Sequence, residues 1–326
     1  MTSSSGNVLE ISDVAVHFPI RSGVLGTAVG TVKAVNGVSL TIGHGETVAL
    51  VGESGCGKST LSNTIVGLQQ PVAGSVRVAG DEVVGADRRR LNAIRRNVQM
   101  IFQDPALSLD PRATVGATVG EPLKVRGIAS GRQLREKVGA LLSQVGLRPE
   151  HAERYPHQFS GGQRQRIVIA RALALEPGLV ICDEPVSALD VSVRAQILNL
   201  LVDLQRRTGV SYLFVSHDLS VVRHICDRVV VMYLGRFVEI AERETFFANP
   251  HHPYTRALMS AVPEADPVVQ RAKKRTVLSG ELPSPANIPS GCAFHTRCPL
   301  ATEICSNVRP ELTPRDDGTL VACHNA

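Results

Sequence analysis

One stretch of this sequence reads Gly52-Glu53-Ser54-Gly55-Cys56-Gly57-Lys58-Ser59-Thr60. It follows the apolar run Thr47-Val48-Ala49-Leu50-Val51, and a pattern typical of a helix follows it. The Gly-x-x-x-x-Gly-Lys-Ser spacing allows successive backbone N–H groups to point at phosphate oxygens, at the positive end of the next helix. The stretch therefore predicts a strand, a phosphate-binding loop and a helix, which together form a site for a nucleoside triphosphate.

Two side chains of this loop have predicted roles. Lys58 would contact the β- and γ-phosphates as a point charge, and the Ser59 hydroxyl would be a ligand of Mg²⁺. The other residues predicted to bind the nucleotide are Gly52, Ser54, Gly55, Cys56, Gly57 and Thr60. The alternative is a glycine-rich turn between strand and helix in which Lys-Ser occurs by chance. The loop alone leaves many protein families open.

Charge and hydropathy exclude several classes of protein. The 326 residues include 35 Lys and Arg and 30 Asp and Glu, a formal net charge of +5. A basic stretch at residues 88–96 has no aromatic residue nearby, which favours a solvated helix face over a nucleic-acid surface. The N-terminus does not resemble a signal peptide, and no apolar run reaches the roughly 18 to 20 residues that cross a bilayer. We therefore expect a cytoplasmic chain that binds no nucleic acid and reaches a membrane only through a partner.

Short apolar strands alternate with helical patterns from about Val8 to about Ile240, which predicts an α/β fold with a mostly parallel sheet. The predicted strands are Val48-Val51, Val98-Phe102, Leu179-Cys182, Tyr212-Val215 and Val229-Tyr233, and helices are predicted to begin near Lys58, Gln163, Val193 and Leu219. Between Pro105 and Gln158, helical spacing without a strand indicates a helical insert. Two short helical patterns, at residues 244–248 and 253–260, precede a Pro-rich tail.

Two carboxylates follow the predicted strand Leu179-Cys182. At a strand end beside a phosphate loop, Asp183 can hold Mg²⁺ through a water, and Glu184 can polarise the water that attacks the γ-phosphate. The alternative is that the Asp-Glu pair only caps a helix.

A second candidate anion site is Phe159-Ser160-Gly161-Gly162-Gln163, directly before a predicted helix. Backbone N–H groups and the Ser160 hydroxyl can donate to phosphate oxygens there. Because one nucleotide does not need two such loops, we expect this one to act on a nucleotide held by another subunit. A plain helix cap is the alternative.

Gln103 and His217 each follow a predicted strand, where a γ-phosphate and its metal would lie. With Ser187-Ala188-Leu189-Asp190, these motifs occur in the order found in the ATP-binding cassette (ABC) family, which residues 8–240 closely resemble. The resemblance implies a P-loop NTPase fold and an ABC ATPase domain at residues 1–240, with a helical signature subdomain at 105–165. The remaining residues, 241–326, would form a C-terminal extension.

The resemblance also implies roles for individual residues. Gln103 would sense the γ-phosphate and serve as a Mg²⁺ ligand, Glu184 would be the catalytic base, and His217 would contact the γ-phosphate. Residues 160–163 would cap the ATP of a partner cassette packed head to tail, and the helical insert would receive a coupling helix of a membrane permease. The family usually stacks an aromatic residue on adenine, but residues 22–30 contain none, and Phe18 is the nearest.

Four segments outside the ATP motifs resemble the dipeptide and oligopeptide importers and the related nickel importers. They are residues 103–112, 235–239, 249–255 and 290–299. The first and last are more similar to the second of the two ATPases in such importers. This resemblance implies that the chain forms a heterodimer with a related cassette. The pair would bind two integral membrane permease subunits at the cytoplasmic face of the membrane. An extracytoplasmic substrate-binding protein would be an indirect partner.

Four of the seven cysteines are clustered in the tail, spaced Cys-x5-Cys-x6-Cys-x17-Cys: Cys292, Cys298, Cys305 and Cys323. Zinc sites generally use closer pairs, whereas wide spacing suits a 4Fe-4S cluster in which each iron takes one thiolate. The resemblance to importer ATPases whose tail binds a 4Fe-4S cluster favours the same interpretation, and zinc or free thiols remain alternatives. If one of the four cysteines is free, His295 and His324 are alternative ligands. Because the tail is far in sequence from every ATP motif, Cys→Ser changes there are expected to affect folding or assembly more than ATP chemistry.

The sequence therefore predicts an ATPase that powers uptake of dipeptides or oligopeptides through a separate permease. An importer of another small solute, such as a nickel chelate, is one alternative. A cytosolic cassette ATPase without a transport role is another, although the chain has neither a second cassette with a basic linker nor a long coiled-coil insert.

Overall fold

The computed structural model describes residues 6–22, 27–263, 270–271, 278 and 280–326. The strands are β1 Asn7–Ser22, β2 Thr27–Gly43, β3 Thr47–Val51, β4 Ala73–Val78, β5 Asp81–Glu82, β6 Val98–Ile101, β7 Leu179–Asp183, β8 Ser211–Ser216, β9 Arg228–Tyr233, β10 Arg236–Glu242, β11 Thr313–Pro314 and β12 Leu320–Val321. The helices are α1 Lys58–Ile65, α2 Arg88–Asn97, α3 Pro105–Ser108, α4 Val115–Val125, α5 Gly131–Gln144, α6 Gly161–Leu173, α7 Val191–Thr208, α8 Leu219–Ile225, α9 Arg243–Ala248, α10 Pro253–Ser260 and α11 Glu303–Asn307. Within the described residues, no helix is both long and apolar enough to span a bilayer.

These elements confirm the predicted α/β pattern. The five predicted strands correspond to β3 and β6–β9, and the four predicted helix starts to α1, α6, α7 and α8. The helical insert is confirmed as α3, α4 and α5, and the two short helices after the last predicted strand are α9 and α10. The basic stretch forms α2, whose arginines are largely exposed, as a solvated face requires.

The chain divides into two compact units, each taken over its described residues. The first comprises Met1–Leu9, Ile42–Glu46 and Val78–Leu213; the second comprises Glu10–Thr41, Thr47–Arg77 and Phe214–Ala326. The predicted site residues fall in different units. Gln103, Asp183, Glu184 and the Ser160 loop lie in the first unit. The phosphate loop, His217 and the tail cysteines lie in the second.

In the first unit, β6 and β7 pair in parallel, with Val98 opposite Leu179. The helical insert is attached to α6 by Arg171, whose guanidinium donates to the Ser108 carbonyl at 3.1 Å and to the Glu121 carboxylate at 2.9 Å. A small apolar core beneath the insert contains Leu123, Ala129, Ala174 and Leu175.

In the second unit, β3 and β9 pair in parallel, and β10 continues from β9 as an antiparallel partner. The extension adds β12 antiparallel to β10 and β11 antiparallel to β12. Its large side chains Phe246, Tyr254 and Phe294 enter the same core as Val51 and Val231 of the parallel strands. Burying such aromatic rings contributes about 1.5–3 kcal/mol each. The extension and the parallel strands β3 and β9 therefore share one apolar core.

Candidate active site

The phosphate loop connects β3 to α1 in a conformation that requires glycine at two positions. Gly57 has a φ of +112°, and a Cβ there would lie 2.1 Å from the Ala34 carbonyl oxygen. A Cβ on Gly52 would lie 2.2 Å from the Met232 carbonyl oxygen. These separations are far below van der Waals contact, so a side chain at either position would displace backbone. Neighbouring strands thus hold the loop closely at both ends.

Lys58 is the first residue of α1 and is only 6% exposed. Its ammonium group donates to the carbonyl oxygens of Gly52 at 2.8 Å and Glu53 at 3.0 Å. The positive charge therefore lies against the loop itself, at the end of a helix where backbone N–H groups are available to an anion. Ser59 is exposed in the first turn of α1.

Glu53 connects this loop to the C-terminal extension. The Arg297 guanidinium donates to both carboxylate oxygens of Glu53, at 2.9 Å and 3.2 Å, and the Glu53 backbone N–H donates to the Tyr254 hydroxyl at 2.9 Å. The tail is far from the ATP motifs in sequence, but these contacts join it to the phosphate loop in the fold. No motif signals these contacts, because Glu53 and Arg297 are 244 residues apart.

In the first unit, Gln103 and Glu184 meet although they are 81 residues apart in sequence. The Gln103 amide nitrogen donates to Glu184 Oε2 at 3.0 Å. Glu184 directly follows β7 and has a φ of +48°, which is unusual for a residue other than glycine. Such a conformation costs on the order of 1–3 kcal/mol and occurs most often where function requires it. Asp183 is the last residue of β7 and is half-buried.

The Ser160 loop forms a reciprocal cap at the start of α6. The Ser160 hydroxyl accepts from the Gln163 backbone N–H at 3.3 Å, and the Gln163 side chain accepts from the Ser160 backbone N–H at 3.0 Å. Gly162 lets α6 approach α7, because a Cβ there would lie 2.4 Å from Val193 Cγ1. Ser160 and Gly161 are exposed. The helix cap is thus present, and it leaves the loop open to solvent within this unit.

His217 is exposed directly after β8 in the second unit. The following residue, Asp218, caps α8 by accepting from the Ser220 backbone N–H at 2.9 Å. The predicted stretch without an aromatic residue, 22–30, includes residues 23–26, which lie outside the described part of the chain.

The four tail cysteines are gathered in one region of the second unit, and all carry free thiols. The pKa of Cys292 is raised to about 11, mainly by burial. The Phe294 backbone N–H opposes this shift, whereas the thiols of Cys305, Cys323 and Cys298 add to it. Burial also raises the pKa values of Cys298 and Cys323, again opposed by the backbone N–H two residues further on. Among the described residues, no group of three or more His, Cys, Asp or Glu side chains is arranged to hold a metal ion.

The other three cysteines, Cys56, Cys182 and Cys226, are buried. Burial raises their pKa values, that of Cys226 to about 12, so these thiols stay protonated.

The chain has a phosphate loop at the start of α1, the carboxylates of Asp183 and Glu184 at and directly after the end of β7, and a Ser-Gly-Gly cap in which Ser160 and Gly161 are exposed. These features define a P-loop ATPase of the cassette type. Residues 35–187 match the ABC transporter family model, and residues 238–305 match the model for the oligopeptide/dipeptide transporter, C-terminal region. The chain therefore belongs to the ABC transporter family, in its oligopeptide/dipeptide branch, and it is an ATPase. This confirms the predicted family and the P-loop NTPase fold.

Relatives in this branch match almost the whole chain. The oligopeptide transport ATP-binding protein AppF of Bacillus subtilis is 52% identical over 97% of this chain and 97% of its own length. The oligopeptide transport ATP-binding protein OppF of Escherichia coli is 54% identical over 94% of this chain and 92% of its own length. Among solved structures, the dimeric post-hydrolysis state of the ATP-binding cassette MJ0796 with ADP and Pi is 31% identical. It has a TM-score of 0.64 and covers 72% of this chain and 98% of that one.

Proposed function

We propose that this chain hydrolyses ATP to drive uptake of dipeptides or oligopeptides through a separate membrane permease. The observation that carries the proposal is the combination of a complete phosphate loop with an extension that matches the oligopeptide/dipeptide transporter C-terminal region. The two relatives that match more than nine-tenths of the chain are oligopeptide transport ATP-binding proteins. The match of the extension to a transporter region favours the transport role over a cytosolic ATPase without one.

We assign the steps of ATP hydrolysis to the residues of the two anion loops and to the two strand-end carboxylates. Lys58 exchanges its contacts with the loop carbonyls for β- and γ-phosphate oxygens, and His217 contacts the γ-phosphate. Glu184 takes the proton of the attacking water, while Gln103, already hydrogen-bonded to Glu184, responds to the γ-phosphate.

The donor set suits Mg²⁺, which prefers hard oxygen ligands. Ser59 offers an exposed hydroxyl and Asp183 a carboxylate. The nitrogen of the Gln103 side-chain amide donates to Glu184, so the amide oxygen of Gln103 is the atom suited to a metal. Bound Mg²⁺ would neutralise charge on the phosphate oxygens.

The Ser160 loop acts, in this proposal, on ATP bound by a second, related cassette. Ser160 and Gly161 are exposed at the start of α6, where backbone N–H groups favour an anion. The similar cassette MJ0796 is described as dimeric with ADP and Pi bound.

The helical insert is proposed to receive the permease at the cytoplasmic face of the membrane. A groove of about 1190 Å³ lies between α4, α5 and the turn at Pro149–Glu153. Charged side chains of both signs line it, including Lys124, Arg135 and Glu150, and Val125 at its edge is 78% exposed. An amphipathic coupling helix with charged ends would suit this lining.

We also propose that the tail holds a 4Fe-4S cluster through Cys292, Cys298, Cys305 and Cys323. Such clusters take four Cys thiolates. Burial raises the pKa of three of these cysteines, and the backbone N–H groups beside their sulfurs oppose that shift only in part. Because no group of metal ligands is arranged among the described residues, the four side chains would have to rearrange around the irons. Protein purified without oxygen should be brown and contain about four irons per chain. Iron-free material that carries zinc would contradict the cluster.

Uptake measurements in cells that lack this chain test the transport function. The parent chain should restore uptake of a labelled dipeptide or tripeptide, and a Lys58→Ala chain should not. The parent should also co-purify with two integral membrane proteins. If the parent restores uptake of a nickel chelate instead of peptides, the substrate assignment is wrong. If the uptake of neither solute depends on the chain and no pair of membrane proteins co-purifies with it, the transport role is wrong.

A further inference from the structure

Glu53 places a carboxylate in a loop whose ligand is a polyanion. A negative side chain at this position disfavours phosphate by like-charge repulsion unless a cation compensates it. Arg297 is the cation that the structure provides. Its Nη1 donates to Glu53 Oε2 at 2.9 Å and its Nη2 to Glu53 Oε1 at 3.2 Å.

The geometry of this pair fixes the carboxylate as well as neutralising it. The Arg297 side chain is 9% exposed and that of Glu53 is 28% exposed, so solvent screens the pair only in part. Two parallel N–H···O bonds from a planar guanidinium define both position and orientation, which a single lysine contact would not. Breaking such a pair leaves one charge poorly solvated.

A second contact holds the backbone of the same residue. The Tyr254 hydroxyl accepts from the Glu53 N–H at 2.9 Å. The Tyr254 ring packs against Tyr233 and Phe294, with centroids 4.8 Å and 5.5 Å apart, and Phe294 lies three residues before Arg297 in the tail. Both contacts to Glu53 therefore depend on one packed region of the extension.

The position of Glu53 bears on Lys58 directly. The Lys58 ammonium donates to the carbonyl oxygens of Gly52 and Glu53, so the peptide that Arg297 and Tyr254 hold also sets where this ammonium lies. We propose that Arg297 is a positioning residue for ATP binding, which fixes Glu53 and cancels its charge beside the phosphates. The Cys-rich extension thereby becomes part of the nucleotide site, although it has no ATP motif.

ATP titration of the full-length chain tests this role through charge rescue. Arg297→Ala leaves the Glu53 carboxylate uncompensated and should weaken ATP binding by about tenfold or more. Adding Glu53→Gln to Arg297→Ala should recover most of this loss, because the repelling charge is removed. Glu53→Gln alone should bind ATP more tightly than the parent, since the Arg297 charge then acts on the phosphates. Raising the salt concentration should reduce the deficit of Arg297→Ala.

Arg309→Ala is the matched control. Arg309 also belongs to the tail and pairs with Glu311 at 2.7 Å, but both side chains are at least half exposed. Its removal should leave ATP affinity unchanged. Parent-like ATP affinity in Arg297→Ala would overturn the proposal. So would a loss that Glu53→Gln does not relieve, because the effect would then come from the fold of the tail and not from charge at the loop.

Discussion

At the scale of the residue, Glu184 has two features that suit a catalytic base. Its backbone is held at a φ of +48°, and its carboxylate accepts from Gln103. Glu184→Gln keeps the size of the side chain and an oxygen that can accept this hydrogen bond, but it cannot take a proton from water. In the assembled complex, ATP turnover should fall by about 10²- to 10⁴-fold, while ATP affinity stays close to that of the parent.

Lys58→Ala gives the opposite pattern, because this substitution removes the ammonium beside the loop carbonyls and should weaken ATP binding itself. If the complex that carries Glu184→Gln hydrolysed ATP near the parent rate, another group would be the base.

At the scale of the element, α10 is capped by a buried histidine directly before its first residue. His252 is 1% exposed, and its Nδ1 accepts from the Tyr254 backbone N–H at 3.1 Å. The backbone N–H groups of His251 and His252 both donate to the buried Glu239 carboxylate of β10, at 2.8 Å and 2.9 Å. These bonds set the position of Tyr254, which in turn contacts the phosphate loop.

This cap makes stability depend on pH in a defined direction. Burial, with a smaller effect of Arg256, lowers the pKa of His252 to about 3 in the folded chain, against about 6.5 when unfolded. The stability that depends on neutral His252 is therefore complete above about pH 6.5 and decreases as pH falls from there towards about pH 3. His252→Asn supplies a capping oxygen that does not titrate.

Urea unfolding at about pH 7 and about pH 5 measures the effect. The parent should lose more stability between these two pH values than His252→Asn does, by up to about 2 kcal/mol. Equal losses in the two proteins would show that His252 is not the titrating group.

The elements also show which parts of the fold could be predicted. Strands such as β3 and β7 are apolar except for one terminal residue each, and a glycine or a carboxylate lies at or directly after their ends, so their positions and the loops after them are evident from the sequence. In contrast, β11 and β12 have two residues each, too few for any periodicity, and they form only because β10 offers an edge. Arg297 and Tyr254 were not predicted as site residues because a contact between distant segments has no local signal.

At the scale of the whole molecule, the Ser160 loop determines what an isolated chain can do. The hydrogen bonds of its reciprocal cap lie within the first unit, and Ser160 and Gly161 are exposed. If the loop acts on the nucleotide of a partner cassette, the chain alone should be mostly monomeric with weak ATPase activity. Activity should rise when the partner ATPase and the permease pair are added.

Ser160→Arg tests this arrangement, because a large side chain would obstruct the approach of a partner's phosphates while leaving Lys58 and its loop unchanged. The variant should still bind ATP, but its complex with the parent partner should hydrolyse ATP much more slowly. The variant can also be paired with a partner whose own phosphate-loop lysine is replaced. In that complex the partner's ATP binding is impaired, so the effect of Ser160→Arg on each nucleotide site can be measured separately. Full ATPase activity of an isolated monomer, unaffected by Ser160→Arg, would contradict a shared site, since the loop would then have no substrate to act on.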